Sequence, residues 1–227
     1  MPKTILLSTE STDNYLKAVF ELTGEGQRAT TTEISRRLGV SAASVTGMLK
    51  KLAASTPSLV TYEKRRGAEL TSVGEGRAVE VIRHHRLIES YLHSELGYRW
   101  DEVHQEAEKL EHFISEDLED RMAAKLGDPE FDPHGHPIPR KDGSIPKCDD
   151  APLRQSPPGS TVRVSRVSDE DPSLLRYLTE LGVGLNAQLD VLEHAPFDGP
   201  TMLRRERQDA FPVSASIAIR VRVVIEA

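Results

Sequence analysis

Apolar residues recur at helical intervals through much of the first half of the chain. In residues 13–22 (DNYLKAVFEL), Tyr15, Leu16, Val19, Phe20 and Leu22 form one stripe, and Gly24 and Gly26 end it. Thr30–Thr32 offer an N-cap for TEISRRLG, whose apolar face is Ile34 and Leu38, and Gly39 closes that helix. Ser41 caps a third helix, SAASVTGMLKKLAA, with Val45, Met48, Leu49 and Leu52 facing inward. Two short helices joined by a tight glycine-containing turn make a helix-turn-helix pattern. Residues 59–70 change period and predict two short strands, LVTYE and AEL, around a Lys64-Arg65-Arg66-Gly67 turn: a wing. Thr71 caps a long helix over about 75–96, with Val79, Ile82, Leu87, Ile88, Tyr91 and Leu92 apolar, and Gly97 interrupts it. A second long helix is predicted from about Trp100 to Leu126, with Val103, Ala107, Leu110, Phe113, Ile114 and Leu118 as its stripe.

From Gly127 to Gly159 the chain is dense in Pro, Gly and Asp, the composition of a linker or an extended wrap. Beyond it TVRVSRVS alternates as a strand does, PSLLRYLTELG reads as a short helix, and LNAQLDVLEHA, TMLRRERQ and VSASIAIRVRVVIEA are further strand candidates. These predict a small β-barrel with one inserted helical turn. The fold class is therefore mainly α with a small β part.

Composition narrows the function. A chain of 227 residues has room for two or three small domains. No apolar run approaches the ~18 residues of a membrane span, and the start lacks the pattern of a secretory signal. Cys148 is the one cysteine, so an internal disulfide and multi-cysteine zinc sites are excluded, and a reducing cytoplasm is the expected location. The net charge of −7 speaks against a nucleic-acid binder, but its distribution does not. Met1 to Gly74 holds ten Lys/Arg against seven Asp/Glu, whereas Trp100 to Asp120 holds nine acids against one base. The first stretch tolerates phosphates and the second attracts cations.

A recognition helix needs small or polar residues near its start, and Ser41, Ala42, Ala43, Ser44, Thr46 and Gly47 meet that need. Ser and Thr hydroxyls bond bases or phosphates, and Ala43 suits a thymine methyl. Arg36, Arg37, Lys50 and Lys51, with Lys64, Arg65 and Arg66 on the wing, are placed for phosphates. Further on, His104, Glu108, Glu111 and His112 fall on one helical face, and His85 and Glu89 are four apart on the preceding helix. Imidazole and carboxylate on facing helices bind first-row divalent metals. Any single such pair is more often a solvated surface feature; four on one stripe shift the balance. A di-iron oxidase would need Glu-x-x-His on two helices, and neither HExxH, a phosphate loop nor a nucleophile elbow occurs, so no catalytic residue is assigned.

The runs DNYLKAVFEL, TEISRRLGVSAASVTGMLKKL, YEKRRGAELTSVGEG, RHHRLIESYL and WDEVHQEAEKLEH resemble the diphtheria toxin repressor family of iron- and manganese-dependent regulators, and PHGHPIPR with the terminal strands resembles its longer members. The resemblance implies a winged helix-turn-helix domain over 1–74, a helical dimerisation and metal-binding domain with a Pro-rich linker over 75–148, and an SH3-like domain over 149–227. It implies a primary metal site of Glu108, Glu111 and His112, completed at the first helix by Asn14, with Asp13 beside it, where many members have an acid or a Met. A second site would use His85, Glu89 and His104, joined by Asp132, His134 and Asp169, with His136 a rival to His134. Where short manganese-sensing members place a ligating Glu, this chain has Lys17. It also has Glu108 where iron-type members tend to have a Cys, so the all-oxygen and nitrogen donor set favours Mn²⁺, with Fe²⁺ as the alternative. A homodimer gripping a roughly palindromic double-stranded operator is implied, the metal fixing the spacing of the recognition helices. The rival readings are a small-molecule-responsive winged-helix regulator and a metal-storage or di-iron protein.

Overall fold

The computed structural model describes residues 10–23, 27–206 and 209–226, and they form two compact units. Gly24 and Gly26, expected to end the first helix, lie outside the described residues, as do the last two residues of TMLRRERQ.

The first unit runs to His85 and takes in Lys109–Glu116 and Pro139–Ser144. It contains α1 (Glu10–Leu22), α2 (Thr31–Leu38), α3 (Ala42–Ala53), β1 (Val60–Glu63), β2 (Gly67–Leu70) and the start of α4 (Ser72–Leu96). Local chemistry fixes these boundaries. Thr30 and Glu33 form a reciprocal capping box on α2, and Gly39 ends it in the left-handed conformation. The Ser41 hydroxyl accepts the Ser44 N–H at 3.1 Å, and Thr71 accepts that of Gly74 at 3.2 Å. Tyr15, Leu16 and Val19 of α1 close over Ile34, Val45, Leu49, Leu52, Val60 and Ala68; each large side chain so buried contributes roughly 1.5–3 kcal/mol. β1 and β2 pair antiparallel from Val60↔Leu70 to Glu63↔Gly67, and Ala29 adds a bridge to Ala68. Gly67 is required there, because a Cβ would lie 2.4 Å from the Ala29 carbonyl oxygen at φ +95°.

The second unit comprises Arg86–Glu108, Asp117–Ile138 and Ile145–Ala227. Its helices are the rest of α4, most of α5 (Val103–Leu110) and of α6 (Glu116–Lys125), then α7 (Pro172–Glu180) and α8 (Ala215–Ala218). Its strands are β3 (Ala151–Pro152), β4 (Thr161–Val167), β5 (Gln188–His194), β6 (Thr201–Arg204), β7 (Phe211–Val213) and β8 (Val221–Ile225). They form one antiparallel sheet in the order β3-β8-β4-β5-β6-β7. Val162, Val164, Leu189, Val191, Leu203, Val221 and Val223 of the sheet pack on Leu174, Leu175 and Leu178 of α7.

Two expectations are corrected. The helix predicted from Trp100 to Leu126 is two helices, α5 and α6, broken at residues 111–115. The Glu111 carbonyl meets His84 Nδ1 at 3.1 Å and its carboxylate is drawn to Lys17, interactions that hold this turn out of a helix. The last predicted strand begins instead with β7 and the short α8, whose Ile217 N–H is capped by Ser214. Of the two readings open for the Pro-rich segment it is the wrap, since Asp132, His134 and Ile138 within it are buried.

Candidate metal centre

The wrap is folded around one carboxylate. Asp132 Oδ1 accepts the backbone N–H groups of His134 at 2.8 Å and His136 at 2.9 Å. The His134 carbonyl in turn accepts the Val167 N–H at 2.9 Å, pinning the loop to β4. Gly135 has φ +86°, and a Cβ there would lie 2.0 Å from the Ser165 carbonyl oxygen. Only glycine permits the approach that sets His134 and His136 on either side of it.

His134 Nε2 lies 2.7 Å from the Trp100 carbonyl, an acceptor only, so Nε2 carries a proton. In the neutral ring Nδ1 then holds the lone pair, and it is aimed at carboxylates: Glu89 Oε2 at 3.7 Å and Asp169 Oδ2 at 3.9 Å. His136 Nδ1 stands 3.4 Å from Asp132 Oδ2 and 3.7 Å from Asp169 Oδ2. One donor atom from each of Asp132, His134, His136 and Asp169 lies within 4.8 Å of the others. Asp132 Oδ2, His134 Nδ1 and His136 Nδ1 are buried without a hydrogen bond, an arrangement that buried polar atoms rarely keep unless something else satisfies them. His104 Nδ1 extends the group, 3.3 Å from Glu89 Oε1 and 3.4 Å from Asp169 Oδ2, while its Nε2 is 3.5 Å from Glu108. Arg86 Nε, 3.8 Å from Asp132 Oδ2, offsets one of the carboxylates of Glu89, Asp132 and Asp169, so with neutral imidazoles two negative charges remain. That donor set and charge fit a divalent first-row ion.

Ionisation follows the same crowding. Burial disfavours the charged form of His104, but Asp169, Glu108 and Glu89 outweigh it and push the group up to about 12. Burial likewise opposes the His134 imidazolium, and Glu89, Asp132 and Asp169 push it up to about 9. Burial raises Asp169, yet His104 and His136 hold it well below the usual carboxylate range.

A second group lies in the first unit. His112 Nε2 is 3.0 Å from Asn14 Oδ1 and 3.4 Å from Glu111 Oε1, and its Nδ1 is 3.5 Å from Asp13 Oδ2. Asp13 Oδ1 accepts from Arg77 at 2.6 Å. Burial raises the Asp13 carboxyl, but His112 and Arg77 bring it below its ordinary value. His85 Nδ1 contacts the Glu111 carboxylate, and Lys17 Nζ donates to the same group at 2.9 and 3.2 Å. His85 and Lys17 therefore hold Glu111 below its ordinary range against its burial. The sequence alone assigned Lys17 no contact; its place one turn after Asn14 on α1 was the available signal.

On the nucleic-acid side, Ser41 at the N-cap and Ala43, Ser44 and Lys50 of α3 are exposed, as are Arg36 and the wing residues Lys64, Arg65 and Arg66. Thr46 is half-buried with its hydroxyl on the Ala42 carbonyl. Arg37 is held by Glu21 at 2.6 Å and Arg66 by Glu63 at 2.9 Å. His194 is half-buried between the Ser156 carbonyl and Thr201.

Residues 8–68 match the family described as "Iron dependent repressor, N-terminal DNA binding domain", 71–140 "Iron dependent repressor, metal binding and dimerisation domain", and 151–225 the "FeoA domain". The iron-dependent repressor IdeR of Mycobacterium tuberculosis is 34% identical, over 86% of this chain and 88% of its own. A solved "Manganese-dependent transcriptional repressor complex with manganese" is 36% identical with a TM-score of 0.86, covering 95% of this chain and all of its own. The manganese regulator SloR is 30% identical with a TM-score of 0.79, covering 95% of this chain and 98% of its own. No described helix is long and apolar enough to cross a membrane.

Proposed function

The chain belongs to the iron-dependent repressor family of metal-dependent transcription regulators, and from that membership we propose that it is a Mn²⁺-responsive repressor that grips palindromic operator DNA as a cytoplasmic homodimer. The observation carrying the metal part is the buried group of Asp132, His134, His136 and Asp169, with three donor atoms that no hydrogen bond satisfies. In this reading Glu89 and His104 belong to the same centre. Asn14, Glu111 and His112 hold a further ion in the first unit, where His85 is on Glu111, and Glu108 stands beside His104 in the second. Oxygen and imidazole donors without sulfur favour Mn²⁺, Fe²⁺ being the alternative. When bound, the ion supplies a double positive charge that carboxylates and imidazoles can share.

The rest is done by the chain. Asn14 sits on α1, whose Tyr15, Leu16 and Val19 are part of the helix-turn-helix core. Joining Asn14 to Glu111 and His112 therefore fixes the helix on which α3 is seated. A DNA-competent state is favoured only by its differential affinity for the ion. Ser41 at the N-cap of α3 and Ala43, Ser44 and Thr46 on it face base edges, and Arg36, Arg37, Lys50, Lys64, Arg65 and Arg66 serve the phosphates. Phe113 is 76% exposed, an uncovered apolar ring consistent with a partner surface. We read the functional segments as 1–74 for DNA, 75–148 for metal and dimerisation, and 149–227 as the SH3-like part. Operator binding titrated with Mn²⁺, Fe²⁺ and Zn²⁺ tests this reading: affinity should rise with Mn²⁺ and vanish with chelator. Equal binding with and without chelator would point to the small-molecule-responsive alternative.

A further inference from the structure

Lys17 follows Asn14 by three residues on α1, so both side chains leave the helix on the same side. Its ammonium is nearly buried and donates to both oxygens of Glu111, at 2.9 and 3.2 Å. Glu111 itself is 1% exposed. His85 Nδ1 contacts the same carboxylate and lies 3.2 Å from Lys17 Nζ. One ring nitrogen cannot donate to the carboxylate and accept from the ammonium at once, so the two groups compete for Glu111. Asp13 is engaged elsewhere, its Oδ1 by Arg77 and its Oδ2 beside His112 Nδ1 at 3.5 Å. Asn14 is neutral. Within this unit the acids beside His112 thus already have their cations, Asp13 in Arg77 and Glu111 in Lys17.

We propose that Lys17 is an internal competitor of the metal: its ammonium holds Glu111 in the metal-free chain, and an ion reaching Glu111 and His112 must displace it. The inference rests on reading Glu111 as a ligand. It makes Lys17 the residue that sets the metal concentration at which this position fills, and the link that keeps α1 on the Lys109–Glu116 segment before metal arrives. A buried carboxylate without its cation is costly, so the ammonium stabilises the metal-free state as it weakens the loaded one.

The test is isothermal titration of the full chain with Mn²⁺, together with melting of the metal-free protein, for wild type, Lys17→Met, Lys17→Gln and Glu111→Gln. Both Lys17 variants should bind Mn²⁺ at one position at least about tenfold more tightly and melt lower without metal. Wild-type or weaker affinity in the Lys17 variants overturns the competition while leaving Glu111 as a ligand. Unchanged stoichiometry and affinity in Glu111→Gln overturns the ligand reading itself, and the proposal with it. Should Lys17→Met fail to fold, Lys17→Gln, which keeps a donor and loses the charge, decides the matter.

Discussion

Replacing Asp169 by Asn removes one charge and almost no volume from the second unit's centre. Asp169 Oδ2 lies 3.4 Å from His104 Nδ1, 3.7 Å from His136 Nδ1 and 3.9 Å from His134 Nδ1, so it faces every imidazole of the group. At an effective dielectric of about 20, two unit charges 4 Å apart interact by about 4 kcal/mol, and a divalent ion doubles this. Desolvation of the carboxylate takes back more than half, leaving a net loss of about 3 kcal/mol, or about 100-fold in affinity. Linkage makes that loss visible in melting. With free Mn²⁺ at 100 times the wild-type Kd, binding stabilises the native state by about 2.7 kcal/mol. At the same concentration, a variant whose Kd is 100-fold higher retains about 0.4 kcal/mol. At about 2–4 °C per kcal/mol for a chain of this size, the metal-induced shift should fall from about 5–11 °C to about 1 °C. Calorimetric titration should lose the corresponding binding step. An Asp169→Asn protein with the full melting shift and wild-type stoichiometry would refute the assignment of this carboxylate to the metal.

Further outcomes follow from the same geometry. Gly135→Ala places a Cβ against the Ser165 carbonyl at a left-handed φ, so it should destabilise by at least about 1–3 kcal/mol and weaken Mn²⁺ binding as His134 and His136 move. Denaturant melts and titration check both. Lys64→Ala or Arg65→Ala on the exposed wing should weaken binding to all DNA sequences about equally and lower the salt slope by about one unit each. Altered sequence preference without a change in salt dependence would contradict a phosphate role. His134, raised to about 9 from an unfolded value near 6.5, contributes stability that is complete below pH ~6.5 and lost as pH rises through about 9. With His104 up at about 12, Mn²⁺ binding near neutrality must release protons. Titration in buffers of different ionisation enthalpy measures that release, and zero release would sink the reading.

The described residues up to 96 were legible because amphipathic period, caps and turn residues agree: Thr30, Gly39, Ser41 and Thr71 end or start helices where the spacing changes. The break after Leu110 was not, since Phe113, Ile114 and Leu118 continue a helical stripe. What ends α5 is tertiary: the Glu111 carbonyl meets His84 and its carboxylate meets Lys17, residues distant in sequence. Phe113 and Leu118, members of that apolar stripe, are exposed. Periodicity finds an apolar face but not what covers it. His136 was visible only as a neighbour of His134; the Asp132 turn and Gly135 give it a place in the group. Ion pairs such as Arg77 with Asp13 leave no pattern in a single sequence at all.

The two groups use the same residue types and differ in what balances them. In the first unit the cations are covalently part of the chain: Arg77 on Asp13 and Lys17 on Glu111. In the second, Arg86 approaches one carboxylate at 3.8 Å, and the balance is met by protons on His104 and His134. A metal entering either group therefore exchanges with a cation already present, and the exchange differs in kind. Protons leave to solvent, so filling the second unit's centre is favoured as pH rises toward about 9. A tethered ammonium swings aside still charged, so displacing it from Glu111 costs a buried ion pair and takes no proton from Lys17. It follows that substitution separates the two events within one titration: Asp169→Asn should remove the step at His104, His134 and Asp169 and leave the one at Glu111 and His112. Substituting Lys17 should move only the second of these.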